Sequence, residues 1–163
     1  MSWTDFYRRR DTIELVLDRA RDNREAGMPF DELPAVTEIF TDREDLALAL
    51  QYKWSQILLG RIAAAQLEAD KTAHIDNVEA VTQAWRSASK TNPELRALLD
   101  AYADEGGPAF QRAQAREQRM LALAAGLAEL REPLEERTRI GAAFQALLRS
   151  GERQETPRLA TSS

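Results

Sequence analysis

The sequence predicts an all-α protein, a single-domain bundle of about six helices around one long central helix. Three observations predict it. From Thr41 to Asp70 the chain runs without proline, and its only glycine there is Gly60. About 30 residues of helix span about 45 Å, longer than most helices in globular proteins. Apolar residues recur three and four apart, and no strand-like alternation competes. Ala, Leu, Arg, Glu and Gln dominate and aromatics are 7%, a composition suited to helices.

The central helix opens at Thr41-Asp42-Arg43-Glu44, which reads as a capping box. In such a box the Thr41 hydroxyl takes the Glu44 N–H, and the Glu44 carboxylate reaches back to the Thr41 N–H. Leu46, Leu50, Trp54, Ile57, Leu58 and Ile62 fall on one arc, and Leu48, Tyr52 and Leu59 extend it. An arc that wide predicts a helix touched on several sides.

Before it, Ser2 or Thr4 caps a first helix reaching about Glu25, with Phe6, Ile13, Val16, Leu17 and Ala20 as its apolar stripe and Gly27 closing it. Pro29 and Pro34 break the next stretch; Asp31 caps a single turn there, with Leu33, Val36, Ile39 and Phe40 inward. After the central helix, Asp76 caps a helix to about Lys90 with Val78, Val81, Ala84, Trp85 and Ala88 facing in. Asn92-Pro93-Glu94 restarts the chain: an Asn cap, Pro at the first helical position and an acid in the first turn. That helix carries Leu95, Leu98, Leu99 and Tyr102 and stops at Gly106-Gly107. Pro108 opens another to about Glu132, and Pro133 ends or kinks it. A last helix carries Leu134, Ile140, Ala143, Phe144, Leu147 and Leu148 until Gly151. Residues 1–150 form the helical domain, and 151–163 are expected to be a flexible C-terminal tail.

A chain of 163 residues suits one domain. At about 150 residues a domain buries roughly 70% of its unfolded surface, so no disulfide or metal staple is required. The absence of cysteine excludes a disulfide framework, a zinc–thiolate site and thiol catalysis, and it agrees with a reducing cytoplasm. No apolar leader follows Met1-Ser2-Trp3, and no run of about 18 uncharged apolar residues occurs, so a soluble cytoplasmic protein is expected. The formal charge of −5, from 22 bases and 27 acids, argues against nucleic acid as a partner.

The search for catalysis is mostly negative, and no cofactor is expected. The single histidine, His74, sits in a turn beside Asp70 and Asp76, where a surface role is the ordinary one. The metal signatures H-E-x-x-H, E-x-x-H and the EF-hand loop are absent, as are the P-loop and the hydrolase and dinucleotide motifs. Gly106-Gly107 makes a poor phosphate cradle because Asp104 and Glu105 precede it. Glu14, Asp18, Asp22 and Glu25 share a helix face, but Arg10, Arg21 and Arg24 interleave, which describes a solvated salt-bridge ridge. The aromatics are more suggestive. If Tyr52, Trp54, Trp85, Tyr102, Phe110 and Phe144 converge, with Gln51, Gln56 or Arg61 as polar handles, they line a small-molecule pocket; the bland alternative is plain core.

Phe40-Thr41-Asp42-Arg43-Glu44-Asp45-Leu46, followed by Leu48 and Leu50, resembles one junction in tetracycline-repressor-type (TetR) regulators, where such a segment opens the long helix leading into the ligand domain. Ala84-Trp85-Arg86 and Asn92-Pro93-Glu94-Leu95 resemble that ligand domain too. The layout matches over roughly residues 40–149. The departure lies upstream. A helix-turn-helix needs about 20 residues, whereas Gly27 and Phe40 enclose 12, residues 28 to 39, two of them proline. Residues 31–50 hold six acids and one base, the wrong sign for phosphate contacts. The resemblance therefore implies a ligand domain without a DNA-reading head, and no specific nucleic-acid partner.

The functional expectation is a non-enzymatic, homodimeric ligand-binding or regulatory domain taking a small apolar ligand. One alternative is a pure interaction protein with no pocket; another is a DNA-binding regulator with a degenerate head. For the dimer, the last two helices offer Leu123, Leu130, Ile140, Phe144, Leu147 and Leu148, with Gly141, Ala142 and Ala143 permitting close approach.

Overall fold

Local signals start most of the helices where the sequence places them. The computed structural model describes residues 2–23, 27–72 and 74–155, with side chains as far as Gly151. Among these residues there are seven helices and no strand: α1 (Trp3–Asp22), α2 (Pro34–Ile39), α3 (Arg43–Lys71), α4 (Asn77–Thr91), α5 (Pro93–Tyr102), α6 (Pro108–Ala124) and α7 (Leu134–Glu155). The protein is an all-α multi-helix bundle.

At the start of α1 the Ser2 hydroxyl accepts the Asp5 N–H at 3.2 Å. At the start of α4 the Asp76 carboxylate accepts the Glu79 N–H at 2.8 Å. Proline occupies the first position of α2, α5 and α6, where its missing N–H costs nothing.

Three local expectations are corrected. The cap of α3 is shifted by one residue: Asp42, not Thr41, accepts the Asp45 N–H at 2.8 Å, and Asp45 accepts the Thr41 N–H at 3.0 Å. The cap thus starts one residue on and takes the next N–H along, and Asp45 replaces Glu44 at the Thr41 N–H. Asn92 holds the cap position of α5, but its amide turns to the Thr91 hydroxyl at 3.1 Å and caps nothing. Helix α6 ends at Ala124, well before Pro133. Gly126 takes φ +72°. Its N–H bonds the Leu123 carbonyl at 3.1 Å, and the Leu127 N–H bonds the Ala122 carbonyl at 2.9 Å. This double closure is a Schellman stop, which needs the left-handed conformation that glycine accepts. The outer bounds shift as well. Helix α1 stops at Asp22, short of Glu25, which lies outside the described residues, and α7 continues past Gly151 to Glu155. The expected tail from residue 156 onward lies outside the described residues.

The helices form two compact units. The first comprises Met1–Ile57 and Ser89–Ala113, the second Leu58–Ala88 and Gln114–Ser163. In the first unit Val16, Val36, Phe40, Leu46, Leu50, Trp54, Leu95, Leu99 and Phe110 are almost wholly buried. In the second, Leu58, Val81, Trp85, Leu121, Phe144 and Leu148 are buried. The second unit also contains a very close helix approach. A Cβ on Gly141 of α7 would lie 1.8 Å from the Gln118 carbonyl oxygen of α6.

Candidate functional site

In the first unit, the start of α6 receives its cap from a distant helix. Gly107 precedes Pro108, so neither residue can supply a side-chain acceptor to the first turn. The Glu44 carboxylate of α3 fills that role and accepts the Phe110 N–H at 3.0 Å. A Cβ on Gly107 would come within 2.7 Å of the same carboxylate. The Gly106-Gly107 turn is thus occupied by an acid of the chain itself. Beside it, Tyr102 meets Phe110 edge-on, with ring centroids 5.0 Å apart. Burial, followed by the nearby Glu44 charge, pushes the Tyr102 hydroxyl above the usual tyrosine range.

The pocket candidates are divided between the two units. Trp54, Tyr102, Phe110 and Gln51 are buried in the first unit. Gln51 reaches Ser55 at 3.4 Å, and the Arg96 guanidinium lies 4.6 Å over the Trp54 ring. Arg61 and Trp85 belong to the second unit, where Arg61 donates to the Ser87 hydroxyl and Trp85 is fully buried. Tyr52 points outward and is 67% exposed, as is Leu59 in part, so the apolar arc of α3 is narrower than its sequence suggests. Arg96 is the residue the sequence reading missed. It is 4% exposed and grips Asp100, four residues on, at 2.9 Å. The i, i+4 spacing was legible, but the burial was not.

A groove runs between α1 and α3 in the first unit, with a volume of about 610 Å³. Helix α1 contributes Phe6, Arg9, Arg10 and Ile13. Helix α3 contributes Asp45, Leu48, Ala49, Tyr52, Lys53, Gln56 and Ile57. The reason for the groove lies in α1. Its buried residues are Thr12, Val16, Leu17 and Ala20, and none of residues 2–11 is buried. The first turns therefore stand clear of core packing and leave the expected inward residue Phe6 half exposed. Trp3 and Tyr7 stack there with centroids 6.3 Å apart, Phe6 meets both rings edge-on, and Arg10 covers Tyr7 at 5.0 Å. Of the pocket residues the sequence suggests, Tyr52 and Gln56 line this groove.

Of the six dimer candidates, Phe144 and Leu148 are covered by the chain itself, Leu123 and Ile140 are half-buried, and Leu130 and Leu147 are open to solvent. Of the small residues of α7, Gly141 is used internally, packing on α6, whereas Ala143 is exposed. Between these helices lies a polar chain: Gln118 donates to Gln145 at 3.1 Å, and Gln145 donates to Glu117 at 2.6 Å. Asp18 pairs with Arg21 at 2.9 Å on the exposed ridge the sequence suggests, while Glu14 pairs with Lys53 of α3 at 3.2 Å; Arg24 and Glu25 lie outside the described residues. His74 is exposed, and no cluster of metal-ligating side chains occurs among the described residues. No helix among them is long and apolar enough to cross a membrane. Compared with family models, curated proteins and solved structures, the chain matches none.

Proposed function

We propose that this chain is a non-enzymatic, homodimeric ligand-binding or regulatory domain, related to TetR-type regulators without a DNA-reading head, and that it holds an apolar small molecule in the α1–α3 groove. The groove carries the reading. Its volume of about 610 Å³ falls within the roughly 300–1,000 Å³ usual for small-molecule sites. Its walls are apolar at Phe6, Ile13, Leu48, Ala49 and Ile57, with Arg9, Arg10, Asp45, Lys53 and Gln56 as the polar lining. The junction at Phe40–Leu50 and the Asn92–Leu95 restart support the regulatory part, because they resemble the entry to a TetR ligand domain.

The test is binding of N-phenyl-1-naphthylamine, a neutral apolar fluorophore, to wild type and to Ala49→Phe. The larger side chain fills the groove, and probe affinity should fall by about tenfold or more, the equivalent of about 1.4 kcal/mol of lost contact. Equal binding by the two proteins would place the probe elsewhere and end the reading.

The exposed Trp3–Phe6–Tyr7 cluster favours a second reading, a protein-interaction module. In that case Trp3→Ala would abolish capture of a protein partner, and the fluorophore would not bind.

A further inference from the structure

The charges lining the groove are inverted relative to the chain. The whole sequence has 22 bases against 27 acids, whereas the groove has Arg9, Arg10 and Lys53 against Asp45 alone. Asp45 is already engaged, because its carboxylate accepts the Thr41 N–H at 3.0 Å in the cap of α3. Acids just outside the groove temper two of the cations: Asp11 stands 3.8 Å from Arg10 and Glu14 stands 3.2 Å from Lys53. Both contacts are exposed ion pairs, a type worth at most about 1 kcal/mol, and an incoming anion competes with them readily. The Arg9 guanidinium stacks 4.7 Å over Phe40 and so stays close to apolar surface. Guanidinium groups bind planar carboxylates by paired hydrogen bonds. Between Asp45 and Ile57 the α3 wall is about 18 Å long, so it accommodates a chain rather than a compact ring.

Resting on the proposed ligand-binding role of this groove, we infer that its ligand is a single-chain amphiphile with an anionic head, taken as a free monomer. The alkyl chain lies along Ile13, Leu48 and Ile57, and the head is held by Arg10 and Lys53. Charge complementarity selects the head, and the apolar lining at Ile13, Leu48, Ala49 and Ile57 selects the chain. A cationic or neutral head gains nothing from the same cations.

Calorimetric titrations of the full chain with decanoate, 1-decanol and decyltrimethylammonium, each below its aggregation threshold, test this. A charge-assisted hydrogen bond contributes about 1.5–3 kcal/mol, so decanoate should bind about tenfold more tightly than decanol or better. Arg10→Gln combined with Lys53→Gln should bring decanoate close to decanol and leave decanol unchanged. Both positions are partly or fully exposed and outside the core, and circular dichroism of each single variant checks the fold. Equal affinity for decanoate and decanol, with both lost in Ala49→Phe, would overturn the anionic head while the groove reading stands. Absence of binding by every probe would overturn both. Uptake of the protein by phosphatidylglycerol vesicles, without decanoate binding in solution, would also overturn the free-monomer inference.

Discussion

The carboxylate of Glu44, the second residue of α3, accepts the main-chain N–H of Phe110 in the first turn of α6, at 3.0 Å and across 66 residues of sequence. Glu44 therefore works as the cap of another helix, not as the partner of Thr41 in its own. A negative group at a helix N-terminus satisfies an orphan donor and opposes the helix dipole. Glu44→Ala should cost about 1–2 kcal/mol in urea unfolding. Gly107→Ala should cost a similar amount, because its methyl displaces the carboxylate, and the double variant should lose much less than the sum. Strict additivity would show that the two positions act separately.

The start of α3 itself depends on Asp42. Asp42→Ala should destabilise by about 1 kcal/mol, while Thr41→Ala, which keeps its main-chain N–H, should be close to neutral. Chemical denaturation of the two variants side by side distinguishes them, and the reverse order would restore Thr41 as the cap.

Tyr102 makes stability fall in strong base. Burial and then the Glu44 charge raise its folded-state pKa above the ordinary tyrosine value of about 10. The unfolded chain consequently loses the proton first. The stabilisation is complete below about pH 10 and is lost as pH rises through the folded-state pKa. Tyr102→Phe should show a smaller loss of urea midpoint between about pH 9 and pH 11 than wild type. An identical loss would remove Tyr102 as the cause.

Two helical glycines should respond in opposite directions. A methyl on Gly141 meets the Gln118 carbonyl oxygen at 1.8 Å, and backbone on a packed helix cannot yield cheaply. Gly141→Ala should cost about 3 kcal/mol or more. Gly60 lies mid-helix with nothing within 4 Å of an added Cβ. Gly60→Ala should stabilise by about 0.5–1 kcal/mol, because alanine loses less backbone freedom on folding. Thermal melts of both variants check the pair.

For the proposed dimer, Leu147 is the informative position. It is 69% exposed, whereas Phe144 is 6% exposed. Leu147→Glu should give a folded monomer, and Phe144→Glu should unfold the chain. Sedimentation of wild type near 18.4 kDa at micromolar concentration would end the dimer proposal.

Most helix starts and the all-α class were determined by the sequence alone, because the forces behind them act within about four residues. Ser2 with Asp5, Asp76 with Glu79, and proline opening α5 and α6 are all pairings the chain makes with itself locally. What tertiary structure decided is which apolar surface gets covered and which polar groups are shared. Tyr52 and Phe6 sit on stripes of correct spacing, yet they remain open because α1 packs only from Thr12 onward. Arg96 has the spacing of a surface ion pair with Asp100, yet it is buried over Trp54. Glu44 has the spacing of a local cap, yet it serves Phe110, and Gly141 looks free for a partner while it carries the α6–α7 approach. Each of these outcomes depends on a residue far away in sequence. Periodicity can mark a face as apolar, but it does not reveal which neighbour will meet that face or how far along the neighbour reaches.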